Sequence, residues 1–324
     1  MLSRFRKLLA SDPRDKIYAL LGLAKNTLGI KPDYGKSVSE VYTDFSRSYI
    51  NHSRNLDLLT QCQWRIGLQE GRFNDLPSWV PDFYNVSSYN PKVLFAQRGI
   101  FSAGEEHCKI RHEVSNSKTL TLEGIYLGRV SNIKILEQWH ERFKFHPTAA
   151  AAQWLPDYLR PNDGRDEKAI TTEPAKLGQE LTYFTSEDRF HSYWRTLMTD
   201  CTRPYIKRLG PSDISELEPQ WNKWLYNHDT YISDIGDIFN IFQDWQFVTS
   251  DQDYYCMVPR EGSMEGDHIV ILDGSKVPML LRPIEGQSRS YSFVGGAYVH
   301  GFMDGEAREW VQQGKLKREK FILV

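Results

Sequence analysis

The sequence predicts an α+β fold: helices around an antiparallel sheet formed by sequence-distant strands, with a C-terminal β-hairpin region. Three observations carry that expectation. Helical periodicity governs most of residues 10–83, and aromatic residues return at helical spacing around 190–225. Short β-type runs appear near 120–135 and again from Tyr254 onward. The predicted division is a helical segment over 1–83, ending in an extended crossing strand, and an α+β body over 84–324. The two are expected to pack as one interlaced domain.

The first ten residues, MLSRFRKLLA, set Leu2, Phe5, Leu8 and Leu9 on one helical face beside Arg4, Arg6 and Lys7. They lack the long apolar region of a secretory signal and read as an amphipathic first helix. Ser11 or Asp12 can cap the next helix with Pro13 at its first position, where the missing N–H costs nothing. Ile17, Leu20 and Leu21 supply its buried stripe, and Gly22 marks its end. Ser37 and Glu40 have the spacing of a capping box. Behind them Val38, Val41, Tyr42, Phe45 and Tyr49 repeat at helical spacing, the pattern of a helix packed on a core.

Leu76–Phe83, LPSWVPDF, carries two prolines that forbid a regular helix and predict an extended crossing segment. Strands are expected at Cys108–Arg111, Leu120–Ile125 and Arg129–Ile135. A second helical region spans about 138–248, interrupted by the polar stretch Pro161–Pro174, a loop or lid candidate. His268–Leu272 and Val277–Leu281 flank Asp273-Gly274-Ser275-Lys276 as a hairpin. Ser290–Val299 follows as a third strand, and Ala307–Gln313 as a terminal helix.

Composition narrows the function classes. The chain has 324 residues, with 40 Lys+Arg against 42 Asp+Glu, a net charge of −2. That near-neutral balance argues against a general nucleic-acid binder. Apolar residues at 40% and charged residues at 25% exclude disorder and a coiled coil. No run of about 18 apolar residues is present, so no membrane span is expected. Cys62, Cys108, Cys201 and Cys256 form no C-x-x-C pair and read as reduced thiols of a cytoplasmic protein. The sequons at Asn51 and Asn85 are then chance matches. Aromatic residues, at 13%, are the one surplus.

The familiar chemistry motifs are missing. No G-x-G-x-x-G follows a strand, and neither a P-loop nor a G-x-S-x-G elbow occurs, so no cofactor is expected. His140, Glu141 and His146 imitate a zincin, but histidines six apart lie about 120° around a helix, and no metal is expected there. His300, Asp304 and Glu306 follow a predicted strand end within AYVHGFMDGEA. Such groups suit acid–base work or a divalent ion; they equally suit a tight turn whose backbone they satisfy. Arg14 and Asp15 read as structural ion-pair partners or as ligand-binding groups. Trp79 and Asp82 have the chemistry of a pocket or of a packed crossing segment. His191, Arg195 and Asp200 fit a salt-bridged helix face.

Taken together, these blocks resemble a known family. SDPRDKIYALLGL at Ser11–Leu23, Pro32-Asp33-Tyr34 and the helix over Val38–Tyr49 resemble the segment that follows the core of fungal heterokaryon-incompatibility (HET) domain proteins. LPSWVPDF, YWRTLMTD at Tyr193–Asp200, Gly266–Leu272, Leu281-Arg282-Pro283 and AYVHGFMDGEA are similar to its later signatures, in the same order. The family's N-terminal HET core, with its G-Y-x-x-L-S-Y-x-W-G, I-D-x-x-C-I-N-Q and W-x-x-Q-E runs, has no counterpart here. The resemblance therefore implies the family's C-terminal body without that core, and carries over no catalytic residue.

Two functions are compatible with this reading. One is a cofactor-independent cyclase of Diels–Alder type, acting on an apolar terpenoid- or polyketide-like intermediate of fungal specialised metabolism. Its walls would be Trp64, Trp79, Phe83 and Tyr298, with Arg14, His300 and Tyr84 donating hydrogen bonds to a carbonyl. The other is a non-enzymatic recognition or scaffold module of the incompatibility system, or a truncated paralogue, acting through a protein partner.

Overall fold

The computed structural model describes residues 10–62, 73, 75–84, 99–104, 118–133, 151, 154–159, 183–202, 207–227 and 245–324. Trp64, the Met1–Ala10 helix, the Cys108–Arg111 strand, the His140/His146 pair and the Pro161–Pro174 loop fall outside or almost wholly outside them.

Helix α1 is Asp15–Leu21. Asp12 rather than a standard N-cap opens it: its carboxylate accepts the Arg14 N–H at 2.9 Å, and the first turn tightens through Asp15 N–H to Asp12 O at 3.0 Å. The buried stripe is Ile17, Tyr18 and Leu21, with Leu20 half-buried, because Tyr18 turns inward to donate to Asp33 O. Helix α2, Val38–Ser53, carries the expected capping box at Ser37 and Glu40 and buries Val41, Tyr42 and Phe45. Tyr42 and Phe45 meet Phe83 edge-on at 5.1 and 5.6 Å, which seats LPSWVPDF against α2. That segment is a run of turns rather than an extended strand: Val80 N–H already reaches back to Pro77 O.

The expected strands at Leu120–Ile125 and Arg129–Ile135 are one continuous strand, β1, Leu120–Ile133. A bulge between Tyr126 and Gly128 within its pairing to β4, and a second irregularity between Val130 and Asn132 beside β2, bend it without ending it. The helical reading of 138–248 holds at α3, Arg189–Leu197, and α4, Pro211–Tyr226. It fails at its end, where Trp245–Ser250 forms β2; a short apolar run does not by itself separate helix from strand. Then follow β3, Tyr255–Pro259, β4, His268–Leu272, and β5, Met279–Pro283. The predicted third strand breaks at Ala297 into β6, Ser290–Gly296, and β7, Tyr298–Val299. Helix α5, Glu306–Gln312, and a further strand β8, Arg318–Leu323, complete the order.

Among the described residues, eight strands form a mixed, mostly antiparallel sheet. Five of them close a ring: β1 pairs β4, β4 pairs β5, β5 pairs β6, β6 runs parallel to β8, and β8 returns to β1. The ring is a small barrel, and closure removes its edges. Its interior fills with one face of each strand. Tyr291 touches both His268 and Phe321 across it, at 5.4 and 5.5 Å. Beyond its bulge β1 turns to β2, which extends through β3 to β7 as an outer leaf. Against that leaf lies an aromatic layer from α3 and α4, where Tyr193 meets Phe247 at 5.0 Å and Trp194 stacks on Trp221 at 6.0 Å.

The helical and barrel parts are joined by main-chain contacts. Ser78 N–H donates to Val324 O at 2.9 Å, its hydroxyl accepts Phe293 N–H at 2.8 Å, and Trp79 Nε1 donates to Lys118 O at 3.0 Å. Barrel closure also sets one side chain. At Gly124 of β1 an added Cβ would lie 2.5 Å from Ile271 O and 3.1 Å from Leu272 Cα, so only glycine lets β1 and β4 approach. Gly124→Val is therefore expected to destabilise the fold by about 2–3 kcal/mol, as overpacking of a tight site does. Urea unfolding of wild type and variant measures it.

Candidate functional site

The sequence blocks YWRTLMTD and AYVHGFMDGEA meet in space. Helix α3 begins at Asp188, whose carboxylate accepts Phe190 and His191 N–H at 2.8 and 3.1 Å. That cap fixes Glu187 immediately before it. At the other end Thr199 and Asp200 take left-handed φ values of 49° and 53°, and Asp200 N–H returns to Arg195 O at 2.8 Å. Such backbone costs of order 1–3 kcal/mol per residue and persists only where the surroundings hold it. Here Asp200, 2% exposed, is gripped by two arginines.

On the barrel side β7 delivers Tyr298, and His300 N–H bonds Tyr255 O at 3.0 Å. Gly301 follows at φ 82°; an added Cβ there would meet Phe184 Cζ and Thr185 Cγ2 at 2.6 Å. The missing side chain lets residues 183–187 lie over the strand end and brings Glu187 to His300.

The result is an alternating chain of polar groups. Tyr298 Oη lies 3.0 Å from His300 Nδ1, and His300 Nε2 lies 2.7 Å from Glu187 Oε2. Glu187 Oε1 accepts from Arg195 at 2.5 Å, and Arg195 Nε donates to Asp200 Oδ1 at 2.7 Å. The other Asp200 oxygen accepts Arg208 Nη2 at 2.8 Å, and Arg208 Nη1 reaches Asp304 at 2.8 Å. Thr185 and Ser192 hydroxyls donate to Glu187 Oε2 at 3.0 and 3.2 Å. Tyr298 and His300 are buried at 1% and 3% exposure, while Asp304 stands at the surface.

The electrostatics follow the geometry. Burial pushes the Glu187 carboxyl up, but the His300 hydrogen bond and the Arg195 charge outweigh it and hold the group down to about 2. Burial likewise opposes charge on Arg195, and Asp200 and Glu187 more than restore it. Burial lifts the Tyr298 phenol well above its usual value, so it stays neutral and acts as a hydrogen-bonding group, not a nucleophile. Every charged member has a charged partner, which suits a fixed joint.

The remaining sequence-derived residues lie elsewhere. Arg14 grips Asp12 with Nε and Nη2 and donates through Nη1 to Tyr34 O and Lys36 O at 2.6 and 2.9 Å, stapling 33–36 to α1. Trp79 is fully buried beneath Arg47, whose guanidinium carbon lies 5.4 Å from the ring centre. Phe83 packs on α2, and Tyr84 is 39% exposed, its N–H bonded to Asp82 Oδ1. Of the residues chosen from sequence, the structure brings together Tyr298 and His300, and separately Trp79 and Phe83 within one buried segment. His300 and Asp304 join the polar chain at different points, and Glu306 instead accepts the Asp304 N–H at 2.8 Å. His191 leaves Arg195 and pairs with Glu218 at 3.2 Å. Sequence reading missed Glu187 and Arg208; neither sits in a periodic pattern, and only the cap at Asp188 marks the neighbourhood.

A half-open surface pocket of about 180 Å3 lies apart from this chain, lined by Asn132, Trp154, Pro156, Asp157, Phe247, Thr249 and Asp253. None of the sequence-derived candidates among the described residues is in that lining. Among the described residues no group of His, Cys, Asp and Glu side chains has the arrangement of a metal site, and no helix is long and apolar enough to cross a membrane.

Two outcomes are expected. Stability contributed by ionised Glu187 is present above its ordinary value of 4.5 and is lost as pH falls toward about 2, so Glu187→Gln should flatten the acid limb of stability against pH. Arg195→Met, which leaves two carboxylates short of a partner, should cost about 3 kcal/mol in urea unfolding at pH 7.

Comparison with known proteins agrees with the sequence signatures. Residues 242–324 match the Het-6 beta-barrel domain. Over 97% of its length the chain is 23% identical to "Heterokaryon incompatibility protein 6, OR allele" of Neurospora crassa, covering 51% of that protein. The chain thus spans about half the length of this curated relative. No solved structure matches. Both matches agree with the resemblance read from the signatures: the chain is similar to a fungal heterokaryon-incompatibility protein over nearly its whole length, and its residues 242–324 match the Het-6 beta-barrel domain.

Proposed function

We propose that this chain acts in heterokaryon incompatibility as a non-enzymatic recognition module, working through a protein partner. The observation that carries the reading is where the signature residues spend their polar groups. Arg195, Asp200, His300 and Asp304 bond to one another and to Glu187 and Arg208, and Ser78 and Trp79 bond to the barrel main chain. Signatures used in this way maintain a shape, and a maintained shape is what recognition of a partner requires. The Neurospora relative is named for heterokaryon incompatibility, which supports the choice of that process.

The cyclase reading asks for an enclosed apolar cavity on the order of 300–1,000 Å3 with convergent donors. Among the described residues, the pocket beside β2 is smaller than that, half-open and flanked by Asp157 and Asp253. Two of the proposed walls, Trp79 and Tyr298, are at most 1% exposed and already committed to Lys118 O and His300. The recognition reading is therefore preferred.

One experiment separates them. The coding sequence is introduced into one strain of otherwise compatible fungal pairs, and heterokaryon growth is scored beside a cyclisation assay of the purified chain on an apolar diene intermediate. Recognition predicts growth reduced several-fold in at least one pairing, with cyclisation rate and stereochemistry unchanged. Unchanged growth in every pairing, with accelerated cyclisation, overturns it in favour of the enzyme.

A further inference from the structure

His268 is the first residue of β4 and sits where the barrel ring closes. In the ladder it stands opposite Arg129 of β1 on one side and Leu281 of β5 on the other. Its ring lies between two tyrosines, 4.9 Å from Tyr126 of β1 and 5.4 Å from Tyr291 of β6. Its Nδ1 is buried and makes no hydrogen bond.

The charged groups around it leave a proton on that ring poorly served. Asp267, the preceding residue, is buried and held by Arg282 through bonds of 2.8 and 2.9 Å. Asp251, from the turn after β2, is taken by Arg129 at 3.0 Å. Glu319 of β8 is exposed and stands across from Gly124, not His268. The nearest ladder neighbour is itself a cation, Arg129. The tyrosine rings offer an imidazolium about 1–2 kcal/mol of cation–π attraction, less than the several kcal/mol that burying an ion without a paired counter-charge costs.

We infer that His268 is an acid-sensitive latch on the β1–β4 seam, holding the barrel closed while its imidazole is neutral and loosening the seam when it gains a proton. The seam is vulnerable there because the β1 bulge, between Tyr126 and Gly128, already interrupts the ladder beside it. Burial first, and Arg129 second, hold the His268 pKa below its ordinary 6.5, with Asp267, Asp251 and Glu319 opposing. The sign follows. Below 6.5 the unfolded chain binds this proton and the folded chain does not, so stability is full above that value and falls as pH drops, until the folded imidazole also titrates. Within that window one such site changes the folded-to-unfolded ratio by up to about tenfold per pH unit.

The test uses the full chain at pH 7.5 and 5.5. Amide exchange, corrected for its intrinsic pH dependence, should show protection at 126–130 and 268–270 falling at pH 5.5 more than at 318–323. His268→Gln and His268→Phe should remove most of that difference. An imidazole titration by NMR on the wild type covers the case in which neither variant folds. The inference is overturned if His268 titrates at or above 6.5, or if the variants keep the wild-type pH response.

Discussion

The arrangement of the whole molecule depends on one joint, the ion-pair chain from His300 through Glu187, Arg195, Asp200 and Arg208 to Asp304. It ties a helix cap, a helix end, the antiparallel bridge between Cys201 and Arg208, and the strand end of β7 into one geometry. Taking such charges out of water costs several kcal/mol per ion, so a joint of this kind is a poor source of net stability. Its value is directional. Apolar layers slide with little penalty, whereas a bidentate guanidinium accepts one position. The left-handed backbone at Thr199 and Asp200 fits that view, since strain is accepted to aim one carboxylate at two arginines.

Around the joint the stabilising mass is aromatic. Five tryptophans, Trp79, Trp154, Trp194, Trp221 and Trp224, are fully buried, and rings from α3, α4 and β2–β3 form a continuous layer. Large rings bury 150–250 Å2 each, roughly. The aromatic surplus in the composition thus has a sufficient use in packing a helical layer onto a leaf of sheet.

What the sequence made legible was local. The Ser37–Glu40 capping box, the α2 stripe and His268–Leu272 appear where spacing predicts them, because caps and periodicity act over a few residues. The Leu120–Ile135 pattern predicts two strands because, from sequence, a bulge is indistinguishable from a stop. Strand β8 carries no strand signal in the sequence: REKFIL has three charged residues before its two inward side chains, Phe321 and Leu323. The candidate site divided along the same line. Tyr298, His300, Arg195 and Asp200 were visible as polar residues inside apolar blocks. Glu187 and Arg208 belong to the site only through tertiary contact, for which a single chain carries no pattern.

The barrel takes its closing stave, β1, from outside residues 242–324. Leu120 pairs with Leu323, so this strand leaves the ribosome long before its partner exists. At about 5–20 residues per second the wait is on the order of 10–40 s. Until β4 follows, an apolar strand has neither of its barrel neighbours, and until β8 follows it has only one; the loop that β8 must close is among the longest the chain allows. Birth of this protein is therefore its most exposed moment, when a strand later sealed inside a ring is open to whatever edge it meets first.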